Sequence, residues 1–152
     1  MNPTRRTVLK TSSALGLLVA CGLVTSQQAL AATGREGFSA KNLADALAAV
    51  GGTPADSKDI VITSPDIAEN GAVVPVSVAS NIPGTSEIYF FVEKNPNPLA
   101  AIFRIPDGTT AAVQSRLKLG QSTNVVAVVK TADGKLYSAS KETKVTLGGC
   151  GG

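Results

Sequence analysis

The chain has 152 residues, 43% of them hydrophobic and only 4% aromatic, with 14 basic against 11 acidic side chains, two cysteines, and neither histidine nor tryptophan. Without histidine, Ser/His/Asp and Cys/His catalysis are excluded within the chain, as are the usual zinc and haem ligand sets. Three of the basic residues, Arg5, Arg6 and Lys10, and none of the acidic ones precede residue 32, so the remainder carries 11 of each and offers no charge-based case for nucleic-acid or anionic-membrane binding.

Residues 4–10, Thr-Arg-Arg-Thr-Val-Leu-Lys, form a twin-arginine pattern, followed by an apolar stretch over 14–24 and the small-x-small site Ala29-Leu30-Ala31. This is a bacterial twin-arginine export signal, expected to be cleaved after Ala31, and it predicts a periplasmic protein that crosses the membrane folded. A competing lipoprotein processing box, Leu18-Val19-Ala20-Cys21, would leave Cys21 lipidated; the apolar run continues past it and a good cleavage site follows. The apolar run is too short to serve comfortably as a membrane span, so no membrane association is expected of the mature form. With the signal removed, one cysteine is left and no internal disulfide can form.

Next comes a helix over 39–50, with Leu43, Ala46, Leu47 and Val50 at helical spacing behind a serine cap and before Gly51-Gly52. From residue 59 the pattern changes to short runs rich in β-branched residues, separated by Pro, Gly, Asn and Asp clusters: 60–63, 72–79, 87–93, 100–105, 111–119, 124–130, 135–140 and 144–147. Such strands at this spacing predict a mainly β, immunoglobulin-like antiparallel β-sandwich, with a mostly closed barrel as the alternative. Residues 131–134, Thr-Ala-Asp-Gly, should turn a hairpin joining the run 125–129 to Leu136 and Tyr137. The run Ile88-Tyr89-Phe90-Phe91-Val92 is apolar on both faces; one must cover the core, and the other calls for the N-terminal helix or a partner subunit. The carboxylates Asp56, Asp59, Asp66 and Glu69 have no calcium-loop spacing and read as turn and surface residues. No metal or cofactor site is expected.

The chain ends Gly148-Gly149-Cys150-Gly151-Gly152. Glycine tolerates both signs of φ, so neither strand nor helix is expected to continue through this segment, and five residues extend at most roughly 17 Å. The segment offers reach without bulk: a sulfur on a narrow arm able to enter another protein's cleft. No base or cation activates the thiol, which at a reference pKa of about 8.5 is only a few per cent thiolate at neutral pH. Cys150 therefore reads as a tether for a group that other proteins attach and process, and not as a catalytic nucleophile. The alternative is a non-catalytic periplasmic interaction module dimerised through the tail cysteine; a thiol-redox role lacks the Cys-x-x-Cys pair. The organisation expected is a signal peptide over 1–31, a helix and sandwich over 32–147, and a carrier arm over 148–152.

With this signal, strand pattern and terminal pentapeptide, the chain resembles the SoxY family, the substrate-carrying subunits of the bacterial sulfur-oxidation (Sox) system. The similarity runs the whole length, and the terminal Gly-Gly-Cys-Gly-Gly matches the family's carrier motif without a departure. The resemblance implies that thiosulfate is loaded on Cys150 as a cysteine S-thiosulfonate, with Gly148, Gly149, Gly151 and Gly152 as the swinging arm. It implies a heterodimer with a SoxZ-like β-sandwich subunit. It also implies three periplasmic enzymes that process the arm: a c-type haem protein, a metal-dependent hydrolase that releases sulfate, and a molybdenum-containing sulfane dehydrogenase. Those enzymes would hold the cofactors, and this chain none.

Overall fold

A computed structural model describes residues 36–147. The apolar run of the fifth strand dictates the layering. Along β5 (Thr85–Val92) the residues from Ile88 to Val92 are all buried, but on alternate faces. Ile88, Phe90 and Val92 enter the cluster between two sheets, while Tyr89 and Phe91 point the other way, into a second cluster beneath a helix.

That helix, α1 (Leu43–Val50), follows a 3-10 turn over Glu36–Ser39. Its cap is Asn42 and not the serine expected at 39: the Asn42 side-chain oxygen accepts from the Asp45 backbone N–H at 2.8 Å, and its amide donates to the Asp45 carboxylate at 2.7 Å. Ser39 is instead the last residue of the preceding 3-10 turn. Gly51, at φ +134°, ends α1 by donating to the Ala48 carbonyl. Ala46 and Val50 are buried against the sheet, with Leu43 and Leu47 partly buried beside them, as their spacing requires. Asn97 pins the segment from the far side, donating to the carbonyls of Phe38 and Ala40. The second face of β5 is thus covered by the chain's own helix.

Nine strands are present among the described residues: β1 (Ala55–Asp56), β2 (Ile60–Thr63), β3 (Ile67–Asn70), β4 (Val74–Ser80), β5, β6 (Leu99–Arg104), β7 (Ala112–Leu117), β8 (Thr123–Thr131) and β9 (Leu136–Leu147). They form two open sheets. One runs β1-β9-β8-β5-β6, with β3 also on β9; the other runs β2-β4-β7. Val74, Val76 and Val78 of β4 meet Val125, Ala127 and Val129 of β8 and the inward residues of β5 in the inter-sheet core. Each of the valines contributes about 1.5–3 kcal/mol when fully buried. This is the mainly β, immunoglobulin-like sandwich expected, and the closed barrel is not formed.

Two expectations need correction in detail. The runs 135–140 and 144–147 are a single 12-residue strand, because Ser140 and Lys141 pair directly with Val126 and Val125 of β8. The short strands β1 and β3 went unforeseen; both lie parallel to β9, on its outer edge. The 131–134 hairpin forms as expected, with Gly134 at φ +83° donating to the Thr131 carbonyl at 2.8 Å.

Candidate functional site

β9 carries the chain from the hairpin at Leu136 to Leu147, where the described residues end. Cys150, expected to be the attachment residue, and Gly148, Gly149, Gly151 and Gly152, expected to be the arm, lie outside them. What the structure places is the base from which that segment departs.

There β9 outlasts its inner partner. Its ladder with β8 stops at the pair Thr123–Thr143, leaving four residues of β9 beyond it. On the β8 side the Ser122 hydroxyl replaces the missing strand, accepting from the Val145 N–H at 2.9 Å and donating to the Val145 carbonyl at 3.4 Å. On the outer side β3 supplies the register Ile67–Lys144, Ala68–Val145 and Asn70–Leu147. The Lys144 N–H donates to the Asp66 carbonyl at 2.9 Å, and the Thr146 hydroxyl to the Glu69 carbonyl at 3.1 Å. One step back the overhang is anchored in the interior: Thr143 is fully buried and its hydroxyl bonds that of Ser64 at 2.9 Å. Lys141 ties the same loop, reaching the Ser64 carbonyl at 2.6 Å and the Asp66 carboxylate at 3.1 Å.

None of these residues stood out in the sequence. Their partners lie 23 to 79 residues away, and a serine in a Gly-Gln-Ser-Thr stretch reads as an ordinary turn. The carboxylates behave as surface and edge residues. Asp56 accepts from the Ser138 hydroxyl at 3.3 Å, the backbone of Asp59 is held in a turn by Ser57, Asp66 pairs with Lys141, and Glu69 contributes its carbonyl to Thr146. Among the described residues no group of three or more Cys, Asp or Glu side chains is placed to hold a metal ion.

Two further polar groups account for the remaining perturbed side chains. Glu87 on β5 faces Arg104 on β6 at 3.4 Å and Lys130 on β8 at 3.9 Å, its direct neighbours across both ladders, and also accepts from the Tyr89 hydroxyl. Burial, reinforced by the Glu87 carboxylate, pushes the Tyr89 phenol far above its ordinary range, so it stays protonated and acts as a donor, not a general base. In the hairpin, hydrogen bonds from Lys135 and then Thr131 lower Asp133 to about 2. A depression of about 480 Å³ beside that hairpin, lined in part by Thr131, Asp133, Lys135 and Tyr137, lies at the opposite end of β9 from Leu147. Ten residues of strand at about 3.3 Å each separate the two ends, whereas the three residues from Leu147 to Cys150 reach roughly 10 Å. A second depression, of about 340 Å³, on the β2-β4-β7 sheet is lined by Thr63, Ser64, Pro65, Pro75, Ser77 and Gln114, none ionisable. In the first, the Asp133 carboxylate is taken up by Lys135 and by the Thr131 hydroxyl within the turn.

A family model described as sulfur oxidation protein SoxY matches residues 46–150, which takes in the last five residues of α1, every strand and the position of Cys150. The chain belongs to the SoxY family. Its fold is similar to the solved structure of the sulfur carrier protein SoxY from Chlorobium limicola f thiosulfatophilum, at 42% identity and a TM-score of 0.62, covering 70% of this chain and 97% of that one. A candidate superoxide reductase from Thermotoga maritima is also similar, at 16% identity and a TM-score of 0.51, covering 61% of this chain and 87% of that one; at that identity it shows the fold alone. No curated protein sequence matches. Membership of SoxY makes this chain one of a family of sulfur carrier proteins.

Proposed function

We propose that this chain is the covalent sulfur carrier of thiosulfate oxidation, holding intermediates on Cys150 and presenting them to partner enzymes without catalysing their conversion itself. The observation that carries this is the placement of the last strand. β9 ends at Leu147 on a braced edge of the sandwich, three residues short of a cysteine that stands between two pairs of glycines, and the family match extends through that cysteine.

The chemistry divides cleanly between the carrier and its partners. Loading joins the Cys150 sulfur to the outer sulfur of thiosulfate; the thiol proton is released and two electrons pass to a haem protein, leaving Cys–S–S–SO₃⁻. Hydrolysis by a second enzyme adds water across the terminal S–S bond, releasing sulfate and leaving a persulfide for a sulfane dehydrogenase. Every intermediate stays attached, so each enzyme meets its substrate at the raised effective concentration a short tether provides. The thiol needs no activation by its own chain, because the oxidising partner drives bond formation. A SoxZ-like subunit completes the heterodimer. The site of action is the periplasm, reached by the twin-arginine route; among the described residues no helix is long and apolar enough to cross a membrane.

Cys150→Ser and Cys150→Ala are expected to fold, to be exported and to form the heterodimer, while thiosulfate-dependent turnover of the reconstituted system falls to background. A serine variant that sustained turnover would overturn the carrier role. Intact-mass measurement on protein from cells grown on thiosulfate should show a reductant-labile sulfur adduct on the peptide bearing Cys150. A protein-to-protein disulfide as the sole modification would favour the interaction module instead.

A further inference from the structure

The edges of the two sheets are not treated alike. On the larger sheet the outer edge of β9 is covered by β1 and β3. Its other edge, β6, is guarded: an extra residue, Ala100, breaks the register between the pairs Phe90–Ala101 and Phe91–Leu99, Pro98 and Pro106 flank the strand, and its last residue, Arg104, is charged. On the smaller sheet β2 is only four residues long and soon meets Pro65. β7 has none of these devices beyond one charge, Arg116. Its six residues run in unbroken register with β4, contain no proline, and have nothing paired to their outer side among the described residues. Ser80 donates to the Ala111 carbonyl at 2.8 Å, so by the alternation of an antiparallel ladder Val113, Ser115 and Leu117 bond to β4, while Ala112, Gln114 and Arg116 turn their peptide groups outward. Of these, the Ala112 N–H is already taken by the Thr110 carbonyl at 2.8 Å.

We propose that β7 is a contact between two copies of this chain, pairing antiparallel with its own copy about a two-fold axis at Gln114 and joining the two smaller sheets into one. What commits the edge to a second copy is its fit to itself. Opposed residues on paired strands share a face, so an axis at Gln114 sets Gln114 against Gln114 and Arg116 against Ala112 of the other copy. Two hydrogen bonds then cross the axis between the Gln114 peptide groups, and each Arg116 N–H meets an Ala112 carbonyl. The Gln114 side chains are exposed on the outer face, and each carries both a donor and an acceptor for the other. The two arginines stand four residues apart along the paired strands, roughly 14 Å, beyond the Debye length of about 8 Å at physiological ionic strength. An axis at Arg116 would instead oppose them directly. Six residues of ladder bury far less than the about 800 Å² per partner of a standard interface, so the association depends on concentration. It is made by backbone and glutamine, and does not rest on Cys150 or on the carrier role.

The test uses the exported chain carrying Cys150→Ser, so that no disulfide can join two copies. In sedimentation velocity the weight-average mass should rise with concentration from one copy towards two. Over the same series, hydrogen exchange at the Gln114 and Arg116 amides should slow several-fold. The Arg104 amide, which faces outward from the β6 edge because its neighbour Ile105 bonds to Ser86, should not change. Gln114→Arg, which brings two cations together at the axis, should abolish association at low salt and regain part of it at high salt, where the charges are screened. Gln114→Pro, which removes only an outward-facing N–H, should abolish it at every salt concentration. A chain that stays monomeric at every concentration would overturn the proposal, as would a dimer whose Gln114 and Arg116 amides exchange unchanged, or one that neither variant weakens. Should Gln114→Pro fail to fold, Gln114→Arg, which keeps the N–H, decides the question alone. The carrier role is read separately, from the sulfur adduct on Cys150 of the unaltered chain.

Discussion

Asp133 and Lys135 flank the hairpin glycine, 2.8 Å apart, with the Thr131 hydroxyl donating to the same carboxylate. Hydrogen bonds from Lys135 first and Thr131 second hold Asp133 at about 2, below its ordinary value of 3.8. A carboxyl depressed in the folded state adds stability above its unfolded pKa and loses that contribution as pH falls through the folded value. The window is therefore from about pH 4 down to about pH 2. Asp133→Asn should flatten the pH dependence of the denaturant midpoint in that window and leave the neutral midpoint little changed, since both side chains of the ion pair are exposed. The Thr-Ala-Asp-Gly turn was legible from its residues because everything it needs is local: an aspartate, a threonine hydroxyl two positions earlier, and a glycine at positive φ. Ser122 was not, because its partner Val145 is brought to it only by the pairing of β8 with β9.

Phe90 and Phe91 are adjacent and both fully buried, yet they belong to different layers. Phe90 packs between the sheets, its ring centroid 5.2 Å from that of Phe103, whereas Phe91 lies under α1 with Tyr89. Replacing either by alanine should cost about 3–5 kcal/mol, but against different elements. Phe90→Ala is expected to lower the global unfolding free energy by that amount. Phe91→Ala should release α1 preferentially, seen as lost hydrogen-exchange protection at residues 46–50 while β4 and β8 remain protected. Equal loss of protection in all elements would show that the helix does not open as a separate layer. The apolar run of β5 demanded cover on both sides; that the helix supplies it was decided by Asn97, which holds the 3-10 turn down, and by the Asn42 cap, which sets where the helix begins.

The described residues form three layers, helix on sheet on sheet, with β9 near one edge of the larger sheet and its end braced by β3. That edge is covered by β1 over the first part of β9 and by β3 over the last, which protects a long strand from pairing with other chains. Cleavage after Ala31, the position expected from the sequence, would leave 11 basic and 11 acidic residues, so the processed chain should focus near neutrality, well below the value of about 9.0 for the full chain. Under the proposed carrier role, loading thiosulfate on Cys150 would add one negative charge, so a second, more acidic band should appear on isoelectric focusing after incubation with thiosulfate and the oxidising partner. It should vanish on reduction and be absent from Cys150→Ser.

The amino-acid sequence by itself determined what depends on neighbours along the chain: the strand periodicity, the hairpin turn and the amphipathic helix. These are set by local sterics, hydrophobic spacing and the side chains present or missing. Tertiary structure alone decided what depends on distant partners. It placed α1 on the second face of β5, laid the short strands β1 and β3 parallel to β9, and carried Ser122 and Thr146 to the end of that strand. Two- and four-residue strands and lone hydroxyls carry too little periodic signal to be seen in sequence. Their order comes from a ladder that exists only once residues far apart in the chain are side by side.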